Sequence, residues 1–186
     1  IDELKTTWNC ACWDISARPL EGLPDVSKAK PSDSVGRIFL LTSGSTGKSK
    51  AMVFNFDTLW NSGRTFLEYH PEVDRNSRFW NYLPMAYLGG VFNLGIIPLS
   101  IGASVLVTSA FDSRTAFRFW ANIEKFGVNT IWLVPSIMKM LLSLSRRSSA
   151  AENQRFGEFV RFTFLGTAPV ELEIKEEFET VFGISL

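Results

Sequence analysis

The chain has 186 residues, 46% of them hydrophobic, with 19 Lys plus Arg against 19 Asp plus Glu and a formal net charge of +0. It is long enough for one domain with a real core and too apolar for disorder by default. Balanced charge argues against a general nucleic-acid or membrane-surface binder, so any recognition of phosphate must be local.

No window approaches about 18 uninterrupted apolar residues, so no membrane span is expected. Cys10 and Cys12 stand too close for a comfortable disulfide or a zinc knuckle, and His70 is the one histidine, so no metal set is expected. Unpaired thiols suit a reducing, cytoplasmic setting.

Residues 1–35 read as a lead-in, punctuated by Pro19, Pro24 and Pro31, with Trp8 and Trp13 as packing residues. From Gly36 strands and helices alternate. The first strand is 37–42 and the second 51–54; a helix capped by Asn55 or Asp57 runs to about His70, which is expected to be exposed. A strand over 78–83 stops at Pro84, and Gly89 to Leu99 reads as a buried helix. A strand follows over 103–107, then a helix capped by Asp112 or Ser113 to about Phe126. The strand 130–134 ends at Pro135, a helix reaches about Leu144, and 145–153 is a polar loop. A strand over 159–165 and a helix over 170–182 complete the order. Such alternation predicts an α/β fold, a mostly parallel sheet flanked by helices on both faces. Ligands of open sheets bind beyond the carboxyl ends of strands. The segments that follow the strand ends, 42–50, 84–90, 135–136 and 166–169, are therefore expected to share one rim.

The segment Thr42-Ser43-Gly44-Ser45-Thr46-Gly47-Lys48-Ser49-Lys50 carries the most chemistry. It follows the apolar run Ile38-Phe39-Leu40-Leu41 and holds glycines, hydroxyls and lysines with no acid and no bulky side chain. Glycines let backbone amides close on an anion, hydroxyls donate to phosphate oxygens, and lysines add charge. That set suits a polyphosphate. The spacing differs from the common nucleotidase loop, which needs four residues between its glycines before Gly-Lys-Ser/Thr.

This segment resembles the signature loop of the adenylate-forming superfamily: acyl-CoA synthetases, aryl-CoA ligases, luciferases and peptide-synthetase adenylation domains. It departs at Ser49, where proline is usual, and at Ala51, where glycine is usual. Two further segments agree in order and spacing. Leu83-Pro84-Met85-Ala86-Tyr87-Leu88-Gly89-Gly90 is similar to the stretch that lines the acyl pocket, with Tyr87 in place of the usual histidine. Phe164-Leu165-Gly166-Thr167-Ala168-Pro169 is similar to the segment that holds adenine, with Thr167 in place of its second glycine and Pro169 near the first turn of the following helix.

The resemblance implies that residues 36–186 are one subdomain of the large N-terminal domain, and that Ile1 and Leu186 are cut ends of a longer protein. The family's magnesium-binding glutamate and C-terminal catalytic lysine would come later. No catalytic residue is then expected within the chain, and no turnover by it alone. The activity implied is ATP-dependent conversion of a carboxylic acid to an acyl-adenylate, then transfer to the thiol of CoA or of a carrier protein's phosphopantetheine. Thr42, Ser43, Gly44, Ser45, Thr46, Gly47, Lys48 and Lys50 would bind the phosphates, Thr46 also meeting Mg2+ through Mg-ATP. Gly166, Thr167, Ala168 and Pro169 would hold adenine, and Tyr87, Leu88 and Gly89 the acyl group. No acidic residue lies between Asn76 and Phe111. A buried ammonium would go unpaired there, so the acid is expected to be fatty or aromatic and not an amino acid. The alternative is a non-catalytic nucleotide-binding or scaffolding module derived from this family. The glutamates of the last helix, Lys139 and Arg146-Arg147 read as solvated faces.

Overall fold

The computed structural model describes residues 36–42 and 50–186, with the backbone alone at residues 41, 42 and 50. The lead-in 1–35, with its cysteines and tryptophans, and residues 43–49 lie outside the described part.

Two sheets are present. Strands β1 (Arg37–Thr42) and β2 (Lys50–Asn55) form an antiparallel pair in which Phe39 faces Val53 and Thr42 faces Lys50. This corrects the expectation of a single sheet. Strand β1 belongs to a hairpin because its partner begins eight residues further on, too soon for a helical crossover. The hairpin runs into helix α1 (Phe56–Glu68), where the Phe56 amide donates to the Gly36 carbonyl at 2.7 Å. Asn55 is the N-cap of α1 through its backbone conformation, without a side-chain hydrogen bond.

The second sheet has four strands, all parallel: β3 (Arg78–Asn81), β4 (Ser104–Val107), β5 (Thr130–Leu133) and β6 (Phe162–Leu165). Their spatial order is β4-β3-β5-β6. The chain moves outward from β3 to β4, then returns across β3 to β5 and β6. Right-handed crossovers in opposite directions put helices on opposite faces.

Alternate residues of β3 show the two faces. Phe79 stacks with Phe164 at 6.5 Å on the face where Phe66 of α1 meets Trp132 and Phe164. Trp80 stacks on Phe119 at 5.2 Å on the other. Helices α3 (Ser113–Phe117), α4 (Phe119–Phe126), α5 (Pro135–Ser145), α6 (Ala150–Arg155) and α7 (Leu172–Phe182) follow the return leg. The core fills both layers, with Phe79, Trp80, Phe119, Ile131, Leu133, Met138, Phe178 and Phe182 all at 2% exposure or less.

Several boundaries differ from the sequence reading. The apolar run expected as one helix over 89–99 is a π-helical segment, Gly89–Ile96, leading into the short α2 (Ile97–Ser100). Only glycine fits at position 90 of this segment: a Cβ there would collide with the Pro84 carbonyl and lie 2.9 Å from the Leu83 carbonyl oxygen. The helix expected to run unbroken to Phe126 divides at Arg118 into α3 and α4. Asp112 caps α3, accepting from the Thr115 amide at 2.7 Å. The expected loop 145–153 ends early, because Ser149 caps α6 by accepting from the Glu152 amide at 3.2 Å. Strand β6 starts only at Phe162, since 156–158 wind as a 3-10 turn. Strand β4 is an edge with Val107 63% exposed, so its apolar run does not mark burial.

Candidate nucleotide and acid site

The order β4-β3-β5-β6 makes the gap between β3 and β5 the place where crossovers diverge, and such sheets hold ligands beyond that gap. These two strands pair only at Phe79 and Thr130. Beyond that point Tyr82 spans the opening: its hydroxyl donates to the Trp132 carbonyl at 2.6 Å. Full burial pushes the Tyr82 phenol well above its usual range, outweighing the opposite pull of that bond. It is therefore a neutral strut and not a proton carrier.

Three of the four expected segments stand at this rim. The first leaves β3 as the turn Pro84–Gly90. The Tyr87 amide donates to the Pro84 carbonyl at 3.2 Å, and the Gly90 and Val91 amides both donate to the Tyr87 carbonyl at 3.1 Å. Tyr87 is 38% exposed and its ring lies over Gly89, closely enough that any Cβ on Gly89 would strike it. Leu88 beside it is also exposed. The second, Pro135-Ser136, opens α5 directly after β5.

The third is Gly166–Pro169, tied to β5 by the Gly166 amide on the Leu133 carbonyl at 3.1 Å. Thr167, Ala168 and Pro169 are exposed, forming an open shelf of small side chains. A Cβ on Gly166 would come within 3.3 Å of the Trp132 indole nitrogen. Thr167 sits at φ 75°, the left-handed region that glycine occupies freely and a β-branched residue does not. Pro169 precedes the helix instead of entering it, because α7 begins at Leu172.

The fourth segment belongs to the hairpin. Thr42 and Lys50 are opposite one another where the hairpin ends, so the phosphate segment begins at one strand end and finishes at the other. Residues Ser43, Gly44, Ser45, Thr46, Gly47 and Lys48 lie outside the described part.

Charge at the rim is mostly spoken for. The Asp112 carboxylate is held below its usual range by the Thr115 amide and hydroxyl it accepts from. Glu171, expected as a solvated residue, meets Lys139 at 3.0 Å; its own backbone amide and then Lys139 lower its carboxyl. Among the described residues no group of three or more His, Cys, Asp and Glu side chains could hold a metal. No helix there is long and apolar enough to cross a membrane. His70 is not simply exposed: it packs on Phe66 at 4.7 Å and edge-on to Phe164 at 5.1 Å. A groove of about 340 Å³ between α4, α5 and α6 lies away from the rim, with the Glu124–Arg155 ion pair at its lip.

Sequence reasoning missed Asn81, Tyr82 and Trp132. Asn81 ends β3 at 2% exposure, its amide nitrogen 2.9 Å from the Gly90 carbonyl oxygen. Its signal was a lone amide inside the run Phe79-Trp80-Asn81-Tyr82-Leu83, which nothing in the motifs explained.

A gap at the switch point, rimmed by glycine-bearing turns, is where a doubly wound type of α/β protein holds its ligands. The AMP-binding enzyme family model matches residues 6–186, and the chain belongs to that family. It is 25% identical over 166 residues to acetyl-coenzyme A synthetase of Ralstonia nicotianae, covering 87% of this chain and 25% of that protein. It is 32% identical over 110 residues to indoleacetate–CoA ligase of Aromatoleum aromaticum, covering 59% and 21%. The crystal structure of ATP-bound MatB from Rhodopseudomonas palustris superposes with a TM-score of 0.67 at 21% identity, covering 80% of this chain and 27% of that one. The chain thus spans about a quarter of the length of these proteins, and the likeness to MatB speaks for the fold alone.

Proposed function

We propose that this chain carries the phosphate, adenine and acid subsites of an ATP-dependent acid–thiol ligase. The observation that carries the reading is the rim itself. A turn able to take an acyl group (Tyr87, Leu88, Gly89) and a shelf able to take a flat base (Gly166, Thr167, Ala168, Pro169) flank the gap between β3 and β5. Family membership supports ATP as the nucleotide.

The residues fit that ligand. Exposed small side chains over Ala168 and Pro169 leave a base room to lie flat, and Gly166 leaves its Trp132 neighbour uncrowded. Backbone amides of the phosphate segment, with Ser43, Thr46 and Lys48, would take the β and γ oxygens. Mg2+ brought on the triphosphate, with Thr46 beside it, would supply further charge neutralisation.

The reaction supported is attack of a carboxylate oxygen on the α-phosphorus, with the bond to the bridging oxygen breaking and pyrophosphate leaving. Sulfur of CoA or of a carrier's phosphopantetheine then attacks the acyl carbon, and AMP leaves with the bonding pair. Positioning and charge neutralisation supply most of such catalysis.

The acid is fatty or aromatic. The run from Asn76 to Phe111 holds no carboxylate, Asp112 is committed to Thr115, and Glu171 to Lys139. An ammonium would find no uncommitted carboxylate at the rim among the described residues and would be costly to bury. The combined variant Thr46→Ala, Lys48→Ala tests the nucleotide half. Titration calorimetry with Mg-ATP is expected to show affinity lowered at least about tenfold, the loss of a charge-assisted contact. Unchanged affinity would remove the phosphate assignment.

A further inference from the structure

We infer that Asn81 is a positioning residue for the acid subsite: one buried side-chain amide holds both ends of the turn that carries Tyr87, Leu88 and Gly89. The inference rests on the reading of that turn given above.

Asn81 is the last residue of β3, beside the gap to β5. Its Nδ2 donates to the Gly90 carbonyl at 2.9 Å and reaches the Met85 Sδ at 3.0 Å. Met85 stands near the start of the turn and Gly90 closes it. Met85, Tyr87 and Leu88 are all exposed, and the remaining bonds run within the turn itself.

The other half of the same amide argues against a packing role. Asn81 Oδ1 is buried with no hydrogen-bond partner among the described residues. Burying an unpaired acceptor is unfavourable, and an apolar side chain of the same size would avoid it. Reversing the amide would set two oxygens against each other at Gly90, so the orientation is fixed by the tether. Asparagine is thus a poor choice for stability and a good one for holding Gly90. That carbonyl lies in the first turn of a π-helical segment, whose wide rings are rare and cluster at functional sites.

The test uses Asn81→Leu and Asn81→Asp in this chain, both lacking the donor. Three quantities are read: the urea midpoint, hydrogen exchange at the Gly90 and Val91 amides, and binding of benzoate and octanoate by saturation-transfer NMR with Mg-ATP present. Asn81→Leu is expected to keep or raise the midpoint, speed exchange at Gly90 and Val91 about tenfold, and weaken acid binding about as much, the loss of one hydrogen bond. Asn81→Asp is expected to speed exchange at the same two amides. A midpoint that falls in Asn81→Leu while exchange and binding hold would mark a core filler and overturn the inference. If the unaltered chain binds neither acid, the acid assignment fails instead, and exchange at Gly90 and Val91 alone then decides whether Asn81 is the tether.

Discussion

Replacing Thr167 by glycine should make this protein more stable, a direction few substitutions to glycine take. Thr167 is the one non-glycine residue at positive φ among the described residues, at 75°. For an L-residue the left-handed conformation costs roughly 1–2 kcal/mol, and β-branching places Thr167 at the upper end. Glycine removes that cost but returns about 0.4–1 kcal/mol through the greater freedom of the unfolded chain. The side chain is exposed, so little packing is lost. The balance is a gain of about 1 kcal/mol, or about 2–4 °C in melting temperature for a chain of this size. Urea denaturation of wild type, Thr167→Gly and Thr167→Ala reads it, with alanine as the control. Alanine retains a Cβ and most of the left-handed cost, so it should gain much less than glycine. Equal stability of the glycine and alanine variants would show that Thr167 is not held at positive φ, and the account of the shelf would fall with it.

Three further outcomes follow from the rim. Gly90→Ala should destabilise by about 3 kcal/mol or more, because its Cβ has nowhere to go between the Pro84 and Leu83 carbonyls; a denaturation midpoint within error of wild type would contradict that geometry. Tyr82→Phe should cost about 1–2 kcal/mol, the loss of a buried hydrogen bond to the Trp132 carbonyl. Tyr82 also sets an alkaline limit. Its folded phenol binds its proton more tightly than the unfolded one, so the stability it contributes is whole below about pH 10 and declines above it. In a spectrophotometric titration the Tyr82 phenol should ionise only as the chain unfolds, and its ionisation while the chain is still folded would refute its burial.

The order of strands and helices was legible because glycine and proline punctuate it, and because the apolar runs around β5 and β6 are real strands of the parallel sheet. Pro135 marked the start of α5 correctly, since proline is tolerated at a first turn. The hairpin was misread as part of the parallel sheet. Strands β1 and β2 look like any other apolar runs, and their pairing is fixed by the short span between them, a property of topology and not of composition. The π-helical opening at Gly89 was hidden for a similar reason. The close approach of Gly90 to the Pro84 carbonyl, which leaves no room for a Cβ, is seen only in the coordinates.

At the site, the motifs named the turns but not what holds them. Tyr82 acts across the gap between strands on the Trp132 carbonyl, and Asn81 acts back on the Gly90 carbonyl of the turn that follows its own strand. Neither pairing has a sequence signature, since the Tyr82 partner is fifty residues away. The substitution of Thr167 for glycine was visible, but its strained backbone was not.

Photolabelling with 8-azido-ATP probes the central claim most directly, because it reports where the base sits without requiring turnover. The account predicts label on peptides containing 166–169, removed by excess Mg-ATP and greatly reduced in the Thr46→Ala, Lys48→Ala variant. Competable label found on the outer groove between α4, α5 and α6, with residues 166–169 unmarked, would contradict it.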